Sequence, residues 1–299
     1  MHVFLFLATA TLWGSSAIVT AQQANAGAPE VSVAYRLVLA SLVMFGWSLA
    51  RGHGIAVRKR DRFWVALQGV LFFGVSFISF YHATTLIPSG IAALVLSTSS
   101  LFAALAGWLF LSVPVTVRML SGICVGLVGL AVIATPQFAL FSSQGETVAG
   151  LGLALSAAAG TGCGTVVAMR NQRAGIPIAV LMSWTALCGA LFAFALALIG
   201  ERSFAVEASL AYVAGLAHLA VVASCITFFM YFNLVERIGA ASASYTLALV
   251  PVVALVISAL FEDLTIDALV LSGGAAVLFG NILVLSAGQS RPAVVKSAA

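Results

Sequence analysis

The sequence predicts an all-α membrane protein with ten transmembrane helices, arranged as two inverted repeats of five helices each. Three observations support this fold class. Hydrophobic residues make up 62% of the chain and charged residues only 7%, against about 25% charged residues in an ordinary soluble domain. Arginine and lysine fall almost entirely on alternate connections between the apolar runs. The two halves of the chain also match when one is shifted along the other.

Ten apolar runs, separated by Gly, Pro or charged clusters, are each long enough for a helix to cross a hydrocarbon core about 30 Å thick. The runs lie near residues 3–21, 31–50, 63–83, 88–111, 118–135, 147–169, 178–199, 210–233, 240–261 and 267–286. The strict alternation typical of a membrane β-barrel strand is absent from them. We therefore predict a first repeat over residues 1–140, a second over 141–290 and a cytoplasmic tail over 291–299.

The basic residues test this number of spans independently, because short cytoplasmic connections carry an excess of Lys and Arg. Eleven of the 13 basic residues lie on even-numbered connections or on the C-terminal tail, and one lies on an odd-numbered connection. The eleven are Arg51, Arg58, Lys59, Arg60, Arg62, Arg118, Arg170, Arg173, Arg237, Arg291 and Lys296. A missed or invented span would break this alternation, so the pattern predicts that both termini face the cytoplasm.

A repeat is visible when the chain is compared with itself. A shift of 151 positions pairs Leu120-Ser121-Gly122 with Leu271-Ser272-Gly273, and Gly129 with Gly280. Near the start of each half, a shift of 148 pairs Gly14 with Gly162. Five helices per repeat is an odd number, so the second copy enters the membrane in the opposite orientation. Inverted repeats occur in secondary transporters, whose substrate site lies near the midplane between the repeats.

Polar and aromatic side chains within the spans are the candidates for a site. Trp13 lies mid-span, where an indole faces either a packed core or a cavity. Ser97-Thr98-Ser99-Ser100 places four hydroxyls in the fourth span, either as a polar cavity wall or bonded back to their own helix. Tyr81 and His82 near the outer end of the third span offer a ring, a hydroxyl and an imidazole. Tyr245 in the ninth span is open to the same substrate or packing interpretations.

Four further residues are interpreted as gating or structural elements. Arg36 lies about a turn and a half from the outer end of the second span, where its side chain is expected to extend to the membrane interface in an architectural role, with a carboxylate clamp as the alternative. Gly160 and Gly164 at four-residue spacing favour close helix packing. Pro251 removes a backbone hydrogen bond in the middle of the ninth span, which predicts a kink or a hinge.

A family resemblance rests on Trp13-Gly14-Ser15-Ser16, on Arg36-Leu37, and on Pro251 with Glu262. With these residues the chain resembles the drug/metabolite transporter superfamily, in its EamA branch of ten-helix proteins, and within that branch the YddG-type amino-acid exporters. The resemblance implies export of amino acids, notably aromatic ones, and of related metabolites from the cytoplasm across a bacterial inner membrane. The position paired with Pro251 in the first half is Ser100, so the two halves need not move equivalently.

Other functions are disfavoured by what the sequence lacks. No Gly-rich phosphate loop followed by Lys and Ser or Thr is present, which argues against ATP-driven pumping. The four cysteines show no metal-binding spacing, so no metal and no cofactor are expected. The basic residues mark topology, so no nucleic-acid partner is expected despite the net charge of +4. An intramembrane Ser/His hydrolase remains an alternative from a different class, although no sequence spacing supports such a dyad.

We therefore predict a transporter, not an enzyme, that lies in a lipid bilayer and binds a small-molecule substrate. A monomer is a possible functional unit. The predicted substrate-binding residues are Trp13, Tyr81, His82, Ser97, Ser99, Ser100 and Tyr245. No Asp or Glu lies deep in a span, so facilitated movement by alternating access, or coupling through a histidine, is expected rather than carboxylate-based proton exchange. Nucleosides and neutral or cationic drugs are the alternative substrates.

Overall fold

The computed structural model describes the backbone of residues 2–52, 54–111, 116–140, 144–206, 209–262 and 264–288. Side chains are described in the same ranges except at residues 111, 134–140, 144, 232, 236, 239–242, 244, 245, 287 and 288. Every regular element in these ranges is a helix. The start of the predicted second repeat at 141 and the predicted tail 291–299 lie outside the described residues.

The first half contains five helices. Helix α1 covers His2–Ala26, α2 covers Pro29–Ala50, α3 covers Lys59–Thr84 and α5 covers Val117–Leu140. Helix α4 is interrupted in the middle of its span and consists of two pieces, Ser89–Leu96 and Ser99–Leu111. Within α3, the segment Gly69–Val75 is π-helical. Proline at the first helical position, as in α2, suits a helix start because its missing N–H has no intrahelical partner to lose.

The second half repeats this order. Helix α6 covers Gln144–Arg173, α7 covers Ile178–Ile199, α8 covers Leu210–Val235, α9 covers Thr246–Phe261 and α10 covers Ala268–Gly288. Within α8, the segment His218–Ile226 is π-helical. Gly175 has a φ of +78°, and this left-handed conformation follows the end of α6 as expected of a C-terminal glycine cap.

Helices α8 and α9 are two spans although helical hydrogen bonding continues from Thr227 to Phe261. The indole of Trp13 donates to the carbonyl of Ala223, and a Cβ at the next residue, Gly14, would lie 3.0 Å from the carbonyl oxygen of Val250. A straight helix would hold Ala223 and Val250 about 40 Å apart. The chain therefore folds back between these two residues, and the predicted order of ten spans is confirmed in the described ranges.

The connections divide between the two ends of the bundle. The connections after α2, α4, α6 and α8 form the basic end, which includes Arg51, Arg170 and Arg173. The connections after α1, α3, α7 and α9 form the acidic end, which includes Glu30 and Glu262.

Contacts between helices show the symmetry of the inverted repeats. Helices α2 and α7 pack together, as do α5 and α10, and each of these pairs combines equivalent helices of the two halves. The contacts of α1 with α8 and α9 are matched by those of α6 with α3 and α4. The contact of α3 with α7 is matched by that of α8 with α2. The predicted two-repeat fold class is thus confirmed by the packing.

The π-helical segments obey the same symmetry. Gly69–Val75 in α3 and His218–Ile226 in α8 are separated by about the same number of residues as the sequence repeat. π-Helical turns are rare and are frequently found at functional sites. Because they lie at equivalent positions of both repeats, the third helix of each half is a candidate part of the functional site.

Candidate substrate site between the repeats

Two symmetry-related groups of three helices face each other. One group consists of α3, α4 and α6, and the other consists of α8, α9 and α1. At the acidic end the groups touch, because α1 packs on the acidic-end halves of α3 and α4, and α4 packs on α9. Among the described residues, α6 makes no comparably extensive contact with α8 or α9 at the basic end. The described packing therefore closes the space between the groups toward the acidic end.

The closure at the acidic end centres on Glu262, at the C-terminal end of α9. Its Oε2 accepts hydrogen bonds from the backbone N–H of Ser89 at 2.9 Å and from the Ser89 hydroxyl at 2.7 Å. The hydroxyl of Ser258 donates to the same oxygen at 2.5 Å. Next to this cluster, a Cβ at Gly90 would lie 2.7 Å from the Cβ of Ser258. One carboxylate thus joins α4 to α9 where their backbones approach most closely.

Trp13 lies on the surface of α1 that meets α8. Its Nε1 donates to the carbonyl oxygen of Ala223, in the π-helical segment, at 3.0 Å. Its ring centroid lies 5.1 Å from that of Phe228 and 5.5 Å from that of Tyr231. The side chain is half-buried. The structure therefore gives this predicted site residue an aromatic surround and leaves part of its ring accessible.

Two of the predicted serines bind an amide of α10. Asn281 Nδ2 donates to Ser97 Oγ at 2.9 Å, and Ser100 Oγ donates to Asn281 Oδ1 at 2.6 Å. Ser97 also donates to the carbonyl of Leu94 in its own helix. These bonds cross the point where α4 is interrupted, so they hold the two pieces of α4 against α10. Ser99 is half-buried, and its carbonyl oxygen lies 2.6 Å from where a Cβ at Gly162 would be.

The neighbours Tyr81 and His82 point to different surroundings. Tyr81 is fully buried, and its hydroxyl donates to Gln23 Oε1 at 3.5 Å. His82 Nε2 lies 2.9 Å from Glu30 Oε1, and Arg202 Nε lies 3.7 Å from the other oxygen of that carboxylate. His82 therefore belongs to an ionic cluster at the acidic end, whereas Tyr81 faces the protein interior. The side chain of Tyr245 lies outside the described residues.

Arg36 departs from its predicted position. Its side chain is only 7% exposed, so the expectation that it extends to the membrane interface is wrong. Its Nε and one terminal nitrogen donate to Ser224 Oγ at 3.4 and 3.2 Å. The guanidinium carbon lies 4.3 Å from the ring centroid of Phe77. The sequence alone could not predict this burial, because the two residues that contact Arg36 lie on other helices, Ser224 on α8 and Phe77 on α3.

The predicted glycines permit close packing of α6 on α3. A Cβ at Gly160 would lie 2.9 Å from the carbonyl oxygen of Leu71, and one at Gly164 would lie 2.7 Å from the Cβ of Phe72. Both neighbours belong to the π-helical segment of α3. Pro251 lies inside α9 between Val250 and Val253, the two residues that approach Gly14 of α1. Among the described residues, no three His, Cys, Asp or Glu residues are grouped closely enough to hold a metal ion.

Comparisons with known proteins agree with this architecture. The chain matches the EamA-like transporter family over residues 1–135 and 148–286, one match for each predicted repeat. It is similar to Protein PecM of Dickeya dadantii (strain 3937), with 25% identity over 250 residues, which is 84% of this chain and 80% of that protein. A solved crystal structure is similar to it with a TM-score of 0.66 and 19% sequence identity, and the match covers 94% of this chain and 95% of the other chain. At this identity the similarity shows the fold alone. The chain therefore belongs to the EamA-like transporter family.

Proposed function

We propose that this transporter exports amino acids, aromatic ones among them, and related small metabolites by alternating access. The observation that carries the proposal is the pair of symmetric helix groups packed together at the acidic end, with Trp13 of the first repeat packed against Phe228 and Tyr231 of the second. Two equivalent halves can exchange which end is closed, since each helix of one group has an equivalent helix in the other group. An aromatic surface between the halves suits a substrate with a flat apolar side chain.

The basic end faces the cytoplasm in this proposal, and the acidic end faces the outside of a bacterial inner membrane. Support comes from the concentration of arginines on the connections of one end. Both termini are then cytoplasmic. Closure at the acidic end would make the present conformation accessible from the cytoplasm, the side from which an exporter loads.

Transport is proposed to be facilitative. The described carboxylates of the bundle lie at helix ends, where Glu30 pairs with His82, Asp61 with Arg170, and Glu262 with serine hydroxyls. Proton-coupled carriers usually place a carboxylate within the span. The Ser/His hydrolase alternative loses support, since in the described part of the chain no histidine side chain is hydrogen-bonded to a serine.

The test is flux of labelled phenylalanine in proteoliposomes, with and without a pH gradient. Wild-type protein should show saturable flux that is indifferent to the gradient, and Trp13→Ala should lower the flux at least tenfold. Trp184→Ala is the matched control, because that indole also donates to a carbonyl, of Ile55, and packs edge-on against Phe45. Equal flux in the Trp13 and Trp184 variants would refute the site. Flux of nucleosides or cationic drugs without flux of amino acids would refute the substrate class.

A further inference from the structure

The buried guanidinium of Arg36 has no anionic partner among the described residues. The ion pairs among the described residues join Asp61 to Arg60 and Arg170, and Glu30 to His82 and Arg202, and none of them includes Arg36. The partners recorded for Arg36 are all uncharged: the hydroxyl of Ser224, the face of Phe77 and the side chain of Tyr81. A buried charge without a counter-ion is costly, and an ionisable residue inside a membrane protein marks a functional site by default.

A second buried polar group at the same place also lacks a partner. Nε2 of His218, in the π-helical segment of α8, is inaccessible to solvent and makes no hydrogen bond. Its imidazole and the hydroxyl of Tyr81 both lie within electrostatic reach of Arg36. Buried polar groups are normally hydrogen-bonded, so an unpaired imidazole nitrogen needs an explanation. A ligand that brings acceptor oxygens would satisfy Arg36 and would also place a polar group beside His218.

The chemistry of the donors selects a carboxylate. The planar guanidinium presents five N–H groups in a fork that matches the two oxygens of a carboxylate. Two of these N–H groups make long hydrogen bonds to a single hydroxyl, that of Ser224. A carboxylate would replace these weak contacts with charge-assisted ones, which are shorter and about twice as strong.

The aromatic surface lies next to this donor along α8. Ser224 faces Arg36, and the preceding residue, Ala223, accepts the hydrogen bond of Trp13. The indole and the guanidinium therefore bond to consecutive residues of the π-helical segment, and Phe228 lies about one turn further along α8 from Ser224. A molecule with a carboxylate a few ångströms from an aromatic ring matches both features.

We propose that Arg36 binds the carboxylate of the transported molecule, and that a carboxylate is therefore a requirement for recognition. The proposal rests on the proposed transport function and narrows its substrate class to aromatic carboxylates, with or without an amino group. The rival interpretation is that Arg36 only joins α2, α3 and α8 through Ser224 and Phe77. The two interpretations differ in whether the charge of the ligand matters.

The experiment measures equilibrium binding to the full-length protein in detergent, by isothermal titration calorimetry. The probes are phenylalanine, 3-phenylpropionate, which keeps the carboxylate and lacks the amine, and phenethylamine, which keeps the amine and lacks the carboxylate. Wild-type protein should bind the two carboxylates at least about tenfold more tightly than phenethylamine, because a hydrogen bond to a charged group is worth that much or more. Arg36→Gln should lose this preference, and Arg36→Lys should retain part of it.

Arg51→Gln is the matched control, because Arg51 stacks on Trp47 at the exposed basic end and should keep wild-type selectivity. Thermal unfolding of each variant identifies a folding defect, and the comparison of probes on wild-type protein does not depend on any variant. Equal affinity of the wild type for 3-phenylpropionate and phenethylamine would overturn the proposal, as would an unchanged preference in Arg36→Gln. Carboxylate-selective binding without phenylalanine flux would instead refute the proposed transport function and leave the carboxylate site standing.

Discussion

The glycines of the α5–α10 interface, Gly122 and Gly129 on α5 and Gly273 and Gly280 on α10, allow a test of how closely the two repeats pack. A Cβ at Gly273 would lie 2.6 Å from Ile133 Cγ1 and 2.7 Å from the carbonyl oxygen of Gly129. Comfortable separations between non-bonded carbon atoms are about 3.5–4.0 Å, so Gly273→Ala forces the two backbones apart by several tenths of an ångström. Overpacking of this kind costs about 1–3 kcal/mol. The gain in helix propensity from Gly to Ala offsets up to about 1 kcal/mol of that cost.

The adjacent Gly274 provides the control, because a Cβ there would meet Leu94 Cδ2 at an ordinary 3.4 Å. The same gain in helix propensity applies to both substitutions and cancels in their difference. Gly274→Ala should therefore be more stable than Gly273→Ala by about 1–3 kcal/mol. The assay is SDS-induced unfolding in mixed micelles, followed by circular dichroism. A Gly273→Ala protein as stable as Gly274→Ala would refute the close packing of α5 on α10.

Two further substitutions probe the polar contacts between helices. Asn281→Leu removes both hydrogen bonds to the serines of α4 and should lower the free energy of unfolding by about 1–2 kcal/mol. Asn233→Leu is the control, because among the described residues this amide donates to Phe229 of its own helix, so the free energy of unfolding should change much less in the same SDS titration. Glu262→Gln removes the charge that accepts the hydrogen bonds between α4 and α9. A cysteine introduced at the buried position Ile91 should therefore react with an impermeant maleimide about tenfold faster or more. An unchanged labelling rate would show that Glu262 does not hold the acidic end closed.

The spans were predictable because membrane thickness and the placement of arginine each constrain the chain strongly. The predicted run at 178–199 coincides with α7, and the run at 267–286 differs from α10 by one residue at its start and two at its end. The repeat was visible because the glycines at its helix interfaces recur at a constant offset. The interruption of α4 and the two π-helical segments were not predicted, since hydrophobic periodicity does not report a change of hydrogen-bonding partner within a helix.

The site was harder to predict because its contacts join residues far apart in the sequence. Asn281 links α10 to α4 through its bonds to two serines that lie more than 180 residues before it in the sequence. The membrane depth of Arg36 suggested an extended side chain, yet contacts with Ser224 and Phe77 hold it inside. Glu262 was named only among the residues that carry the family resemblance, and its bonds to Ser89 could not be predicted without the fold. One available signal was Ser224 itself, which the 148-residue repeat pairs with Ser76, another buried serine in the third helix of its repeat.

Alternating access requires the two helix groups to separate at the acidic end during transport. Ser89 and Ser258 donate to the same oxygen of Glu262, so a cysteine at each position can form a disulfide across this contact. The measurement is phenylalanine flux through Ser89→Cys/Ser258→Cys protein in which Cys124, Cys163, Cys188 and Cys225 are replaced. The single Ser89→Cys protein serves as the control for the oxidant. Oxidation should abolish flux and dithiothreitol should restore it, whereas an undiminished flux through the fully crosslinked protein would contradict alternating access.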